Sequence, residues 1–450
     1  MTSRTIGLHK FLKDSVLTFS QQFLSLVLGF ATSIILARSL GRSGVGILTL
    51  TFLFSTLTIT FVRFGVPAAT TYLLGSHKYD LPEALSNAIS ISFFQSLLGV
   101  LAAATILLFF KDQVLKNVDI RYLYWMLIVI PINLTNANLR AIFQALQDFK
   151  SFNITALFQL AWVTLLLVAL LLFQAISIQN VIFINIAASL LTLILIVYLL
   201  HRHIPLSKLR LGVHPAYLRD SLQYGAKVYT SSIFTFFNYK QDRFLLNSYL
   251  SPASVGVYNI GANLGERLWL VSQSISTVLF PKIASLRGDE KQRRWMTPFI
   301  TRHIFTGTAI AAVFLYWSSP FLIQLLYGSE FAAASDVLRI ILPGVVFLTI
   351  SRIVANDIAG RGRPGINTIL AGVALVINLI ANLLLISRFG IRGAAWASTI
   401  SYTANAILKT IIYSHIAGVS WFSLFIIRFS DLQVWKHLIV ESRRHAQPTI

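Results

Sequence analysis

Long apolar runs recur from one end of this 450-residue sequence to the other. Each is at least as long as the roughly 20 residues an α-helix needs to cross a hydrocarbon core. A soluble chain of this length would be read as about three domains. With 56% hydrophobic and only 12% charged residues, the sequence instead describes one all-α polytopic membrane protein whose core is shared with lipid. We place twelve spans at about 14–38, 46–74, 84–110, 122–146, 152–174, 181–201, 223–249, 254–283, 299–327, 333–359, 366–387 and 393–415. The connections are short. The longest, 202–222, carries Arg202, Lys208, Arg210 and Arg219; the next, 284–298, carries Arg287, Lys291, Arg293 and Arg294.

The formal charge of +21 would point a soluble protein toward nucleic acid. Here the plainer reading is preferred, in which Lys and Arg sit in short loops that orient the helices, and no nucleic acid is expected. With the N-terminus inside, cytoplasmic segments hold roughly 20 Lys and Arg and outside loops about 7, the asymmetry of the positive-inside rule. An even number of spans returns the C-terminus inside, so both termini are expected on the cytoplasmic side of the cell membrane. The first apolar run is long and polar-studded, without a short apolar region ending in a small-residue cleavage site. It is therefore read as a retained first helix. Cysteine is absent, which excludes disulfides and thiolate metal sites. His201, His203 and His214 lie in or beside a loop and are read as solvated rather than as metal ligands. After the last span, Trp421–Arg444 alternates aromatics with Arg428, Lys436, Arg443 and Arg444 and is too interrupted to cross. It is expected to lie on the membrane as an interfacial amphipathic helix.

The polar centre lies in Tyr224–Trp269, read as two apolar helices joined by a turn at Ser251–Pro252. It carries Lys227, Lys240, Asp242, Arg243, Glu266 and Arg267. An ionisable group costs about 2.5–3.5 kcal/mol at the centre of a spanning helix on the insertion scale. Several in two neighbouring helices call for a wet or protein-lined interior. The same stretch repeats an earlier one: LARSLGRSGVGIL, Leu36–Leu48, lies over LNSYLSPASVGVY, Leu246–Tyr258, at a shift of 210 residues. Six spans per half preserve topology, so the copies are parallel repeats about an axis along the membrane normal. The expected divisions are 1–201 and 223–415 for the two six-helix lobes, 202–222 for a cytoplasmic basic linker and 416–450 for the tail.

Polar residues follow the duplication. On helix one Ser15, Thr18, Gln22, Ser25, Gly29 and Thr32 share one helical face, which shifts onto Gly225, Val228, Ser232, Thr235, Tyr239 and Asp242. Thr49, Thr56 and Arg63 shift onto Asn259, Glu266 and Gln273, a stripe that Asn263 and Thr277 extend. Asn133, Asn136, Arg140, Gln144 and Gln147 form a further stripe, and Arg140 and Gln144 lie over Arg352 and Asn356 at a shift of 212. A single amide or hydroxyl is equally well explained as an interhelical seam, worth about 0.6 kcal/mol per bond. For the charged members together, a hydrated cavity between the halves is the preferred account, since hydrocarbon would leave them unsatisfied.

Several motifs then resemble a known family. They are Gly-x-x-Gly-x-Gly-Ile at Gly41–Ile47, Phe-Gly-Val-Pro-Ala at Phe64–Ala68, the Asp242–Arg243 pair, Val-Gly-Val-Tyr at Val255–Tyr258 and Leu-Phe-Pro-Lys at Leu279–Lys282. In this order, with twelve duplicated spans, they resemble the polysaccharide-transport branch of the multidrug/oligosaccharidyl-lipid/polysaccharide exporter superfamily, up to about residue 415. The resemblance implies a MATE-like pair of six-helix lobes in a V and alternating-access translocation of a lipid-linked oligosaccharide. It further implies membrane lipids and polysaccharide assembly enzymes as partners, in a protein expected to be a monomer. The fourteen-span lipid II flippases carry two further C-terminal helices.

A glycan on a polyprenyl diphosphate asks for cations at the diphosphate and for polar and aromatic groups at the sugar. Arg63, Arg140, Lys240, Arg243 and Arg352 are the candidate cavity cations, with Arg267 and Lys227 ranked lower as snorkelling side chains. Arginine suits phosphate because its planar fork binds oxygens in pairs. Gln22, Asn133, Asn136, Tyr229, Tyr239, Asn259, Asn263 and Gln273 are the candidates for sugar. Register puts Lys240, Arg243 and Asn247 on one face of helix seven and Asp242 on another. Asp242 and Glu266 are read either as counter-ions or as carboxyls protonated and deprotonated during transport. No cofactor is expected, and coupling to a proton or sodium gradient or to the membrane potential stays open. A cation-coupled multidrug exporter on the same fold would favour acids over this many arginines. A membrane glycosyltransferase would need larger extramembrane loops. Gly360–Gly365 lacks the Lys-Ser/Thr partner and preceding strand of a phosphate loop and reads as a helix–helix turn.

Overall fold

The computed structural model describes residues 3–204, 212–270, 272–273, 279, 283, 289–429 and 431, with side chains from Leu17 onward except that of Lys227. The described residues are helical almost throughout and contain no strand. The elements are α1 (Ser3–Val62), α2 (Val66–Gly75), α3 (Leu81–Phe109), α4 (Lys111–Val114), α5 (Ile120–Ala145), α6 (Phe149–Leu172), α7 (Ile178–His201), α8 (Pro215–Tyr249), α9 (Pro252–Glu266), α10 (Glu290–Tyr327), α11 (Ala334–Gly360) and α12 (Pro364–Ala417).

Helix starts follow local chemistry. Asp80, Asp119, Asp148 and Ser177 each accept a backbone N–H from the first turn of the helix that follows, supplying an acceptor for a donor that has none within the helix. Proline opens α8 and α12, where its missing N–H costs nothing. Gly418, in the left-handed region at φ 62°, closes α12.

Among the described residues eight helices are long and apolar enough to cross a membrane. Two of them, α1 and α12, turn at glycines with non-helical backbone, Gly41 and Gly390; α12 contains two of the expected spans, and α1 the first and the beginning of the second. Expected span seven falls in α8, which Lys240, Asp242 and Arg243 make too polar for that count. Expected span eight begins as α9 and continues into residues of which few are described. The Leu279–Lys282 motif, Thr277, Lys208, Arg210 and Arg287 lie wholly or largely outside the described residues.

The outer surface is what lipid requires. Leu108, Phe173 and Trp317 are 79%, 81% and 74% exposed, on helices whose opposite faces are packed. In water such a surface would be an aggregation hazard; in a bilayer it is the solvated face.

The chain forms two compact units. One comprises residues 1–260 with 322–334 and 386–391, the other 261–321, 335–385 and 392–450. The first has an apolar core around Leu85, Ile142, Phe143, Ile196, Leu200 and Tyr217. The second packs Ile350, Val354, Ile358 and Tyr413 around Leu424 of the tail. The tail departs from the expected helix over its first residues, 421–428. Trp421–Leu424 is a single 3₁₀ turn and the chain runs on without helix to Arg428. There Asp431 takes the Arg428 N–H and the Arg302 guanidinium, and the described residues Phe429 and Asp431 are helical. The remainder of the expected helix lies outside the described residues.

Candidate functional site

The site grows from a break in expected span two. Pro67 has no N–H for the carbonyl of Arg63, and its ring would clash with that carbonyl in a continuous helix. The helix stops at Val62, Phe64 and Gly65 take left-handed backbone at φ 46° and 69°, and α2 begins at Val66. Carbonyls freed this way inside a membrane must find donors. The Arg63 carbonyl takes the Val66 N–H at 3.0 Å and, from α3, the Gln95 Nε2–H at 2.9 Å, while Tyr229 on α8 donates its hydroxyl to the Phe61 carbonyl at 2.7 Å. Gln95 is held in turn by Asn138, whose Nδ2 donates to Gln95 Oε1 and to Ser92 Oγ, each at 2.8 Å. The break also brings α8 close: a Cβ on Gly65 would stand 2.5 Å from the Gly225 carbonyl oxygen.

Between the break and α8 lies a cavity of about 600 Å³. Arg63 and Lys240 line it with Tyr229, Tyr239 and the hydroxyls of Thr60, Ser231, Ser232 and Thr235, and no Asp or Glu is on its wall among the described residues. The Arg63 side chain has no hydrogen bond or ion pair among the described residues. Arg140 stands close enough for its charge to act on Arg63. It stacks on Phe152 at 4.8 Å and donates to the Phe152 carbonyl at 3.3 Å. The arrangement offers positive charge, hydroxyl groups and ring faces, the combination that a phosphorylated, hydroxyl-rich ligand needs.

The sequence profile of the polysaccharide biosynthesis proteins matches residues 11–287, more than half of the chain and every residue of this cavity. The chain belongs to that family. Two curated relatives agree. A Haloferax volcanii protein named as a low-salt glycan biosynthesis flippase is 24% identical over 207 residues, 45% of this chain and 43% of its own length. A Shigella flexneri protein named as an O-antigen transporter is 20% identical over 399 residues, 85% of this chain and 93% of its own. The match to the first thus spans less than half of that relative. Among solved structures, the lipid II flippase MurJ in an inward closed conformation aligns with a TM-score of 0.73 at 16% identity, over 91% of this chain and 89% of that one. An inward-facing multidrug-resistance MATE transporter of the MOP superfamily aligns at 0.70 with 14% identity, over 90% and 98%. At such identities the likeness establishes the fold, the all-helical fold of the MOP superfamily.

Other family-region residues are placed away from the cavity. Asp242 and Arg243 are buried, 3% and 1% exposed, and paired with each other at 3.0 Å. Asp242 also accepts the Tyr258 hydroxyl. Arg243 Nε donates to Asn259 Oδ1 at 3.0 Å, its Nη1 to the Tyr239 carbonyl at 2.6 Å, and its guanidinium lies over the Tyr258 ring. Arg243 therefore does not share the cavity face with Lys240: its long side chain turns toward Asp242, whose carboxylate neutralises it. Asn247 binds the Val114 and Lys116 carbonyls, and Asn259 donates to Thr49. Asn136 donates to the Ser189 carbonyl, an α5–α7 seam. Gln22 and Asn133 are half-buried, with no side-chain hydrogen bond among the described residues. Thr32, in the position equivalent to Asp242, bonds Thr164 at 3.0 Å.

In the second unit the Arg352 guanidinium lies over the Trp269 ring at 4.3 Å, and Trp269 packs edge-on against Tyr402. The Tyr402 hydroxyl donates to Glu266 at 3.3 Å. Asn263 is half-buried and Gln273 exposed. Sequence reasoning missed Lys409, a buried ammonium that feels Arg352 and has no acidic partner among the described residues. It also missed Gln95 and Asn138. Lys409 is a lone cation in an apolar span, which is a usable signal; Gln95 and Asn138 are isolated amides that no stripe marks. Asp357 is an internal acid, bonded by Thr297, Tyr413 and Arg361. His203 and His214 face Asp148 and Glu83 at 3.2 and 3.7 Å.

At the end of the first unit that holds residues 76–80, Lys78 and Tyr79 both bind Asp220 at 2.6 Å. These two hydrogen bonds hold the Asp220 carboxyl below the usual carboxylate range. The same carboxylate, with burial, pushes the Tyr79 hydroxyl up to about 12.

Proposed function

We propose that this protein is a flippase that carries an oligosaccharide linked to a polyprenyl diphosphate across the cytoplasmic membrane by alternating access, for the assembly of cell-surface polysaccharide. The observation that carries this reading is a cavity beside a broken helix whose charged lining is cationic, Arg63 and Lys240, with hydroxyls and two tyrosines around it. Broken helices recur at transporter binding sites because their backbone needs a polar lining. Arg63, Lys240 and Arg140 take the diphosphate, and Tyr229, Tyr239 and the hydroxyls take sugar. Arg352 and Lys409 supply a second cationic point in the other unit. Asp242 and Arg243 neutralise each other, so Asp242 acts as a counter-ion. The family membership and the names of the relatives agree with a glycan substrate.

The six-span halves are 1–201 and 223–415, joined by a cytoplasmic linker at 202–222, with both termini cytoplasmic. The protein works as a monomer. A multidrug exporter shares the fold, but a cavity with no acid on its wall among the described residues does not suit a cationic drug. The deciding experiment follows a fluorescent polyprenyl-diphosphate oligosaccharide in proteoliposomes beside ethidium efflux in cells. Glycan translocation that falls in Arg63→Gln/Lys240→Gln, with no ethidium efflux, is the expected result. Ethidium efflux that depends on the protein, with no glycan movement, would sink the reading.

A further inference from the structure

Away from the cavity, the start of α10 and the chain that follows α12 enclose a basic cleft of about 380 Å³. Lys291, Arg294, Trp295 and Arg302 reach it from one face of α10, at helical spacing. Gly418 turns the chain, so that Ser420, Ser423 and Arg428 form the opposite wall.

The four cations are not equivalent. Arg302 is buried, ion-paired with Asp431 and bonded to the Ser423 carbonyl, so it fixes the wall and is already neutralised. Arg294 packs against Gly418, and among the described residues its one acidic neighbour is Glu290, at 3.7 Å. That carboxylate is held more closely by Arg361, at 2.5 Å. Lys291 and Arg428 are exposed and have no side-chain hydrogen bond or ion pair among the described residues. Among the described residues, three cations thus converge on the cleft with at most a shared fraction of one acid.

The rim is aromatic. Trp295 on the cleft wall is 46% exposed; Trp421, next in the chain to Ser420 of the opposite wall, is 51% exposed and packs on Phe422 with ring centroids 4.5 Å apart. Exposed tryptophans at the end of a spanning helix sit at headgroup depth in a bilayer. Cations converging beside them match one ligand, a phosphate carrying acyl chains. Inorganic phosphate would use the cations and leave the aromatic rim without a role.

We propose that this cleft binds the phosphate of an anionic phospholipid. The test uses the full chain in detergent, titrated with phosphatidylglycerol and read by native mass spectrometry. Removing two cations, each worth about 1 kcal/mol toward an anionic lipid, lowers the affinity of Lys291→Gln/Arg428→Gln about thirtyfold. The control Lys116→Gln/Lys150→Gln binds as the wild type does. Lipid-free melting temperatures stay the same, because neither changed side chain has a hydrogen-bond or ion-pair partner among the described residues. Millimolar inorganic phosphate leaves the bound lipid in place. Equal phosphatidylglycerol affinity in Lys291→Gln/Arg428→Gln and wild type, or full displacement by inorganic phosphate, overturns the proposal.

Discussion

Gly46 and Gly256 meet backbone to backbone: a Cβ on Gly46 would stand 1.7 Å from the Pro252 carbonyl oxygen, and one on Gly256 2.1 Å from that of Arg42. The contact is reciprocal, because Arg42 and Pro252 are separated by the same interval as the two glycines. Asn259 and Thr49, also 210 residues apart, bond to each other close by. The two copies of the repeated segment therefore touch through equivalent residues, as a two-fold axis between them requires. Alanine at either glycine must drive two backbones apart, and overpacking of this kind costs about 1–3 kcal/mol. Gly46→Ala and Gly256→Ala are each expected to lower the melting temperature in detergent. Gly365→Ala, with nothing within 4 Å, is expected to leave it unchanged. A Gly256→Ala protein that melts with the wild type would show that the crossing can loosen freely.

Arg63 carries the second prediction. Its guanidinium is exposed in the cavity and its backbone is held by Gln95. Arg63→Gln should express normally and translocate glycan about tenfold or more slowly, since a charge-assisted hydrogen bond is worth about 1.5–3 kcal/mol. Arg63→Lys should recover only part of the rate. Unchanged surface glycan in cells carrying Arg63→Gln as the sole copy would remove this residue from the site.

The Asp242–Arg243 pair behaves differently because it is buried. Asp242→Asn leaves Arg243 without its acid, a loss of about 3–5 kcal/mol when one member of a buried pair is removed. The melting temperature should fall, and Asp242→Asn/Arg243→Gln should regain part of it. A single variant as stable as wild type, but slow in transport, would return Asp242 to a coupling role.

Lys409 is the converse case. Replacing a buried ammonium that has no acid beside it among the described residues removes a desolvation cost. Lys409→Met should therefore melt at or above the wild-type temperature while glycan translocation declines. A large drop in melting temperature would mean that the ammonium has a structural partner.

Asp220 gives a pH dependence. Its folded-state pKa is depressed by Lys78 and Tyr79, so its contribution is present above the ordinary carboxylate value of about 3.9 and is lost as pH falls through the lower folded value. The melting-temperature gap between wild type and Asp220→Asn should be open at pH 7 and close progressively below about pH 4. A gap of constant width from pH 7 to pH 3 would refute this origin.

The repeat and the span lengths could be read in advance because both are linear properties of the sequence: runs of fixed length, and one segment recurring at a fixed shift. Facing could not. Helical register placed Arg243 with Lys240, but an arginine side chain is long enough to turn toward Asp242 and Tyr258, and the pairing of buried charge outweighs register. The break at Arg63 is signalled by Pro67, four residues on, but in Phe-Gly-Val-Pro-Ala that signal coincides with a family motif. Gln95 and Asn138 matter only because carbonyls released by that break need donors, a demand invisible until the break itself is seen.

Tyr229 both lines the cavity and supplies the donor for the Phe61 carbonyl. An occupant whose oxygen draws that hydroxyl proton takes it from the backbone of the broken helix. Occupancy and the shape of the helix are then two claims on one proton, so a cargo is sensed by what it removes. Tyr229→Phe cuts this link: substrate should still bind, while the substrate-induced change in hydrogen exchange at residues 61–66 disappears.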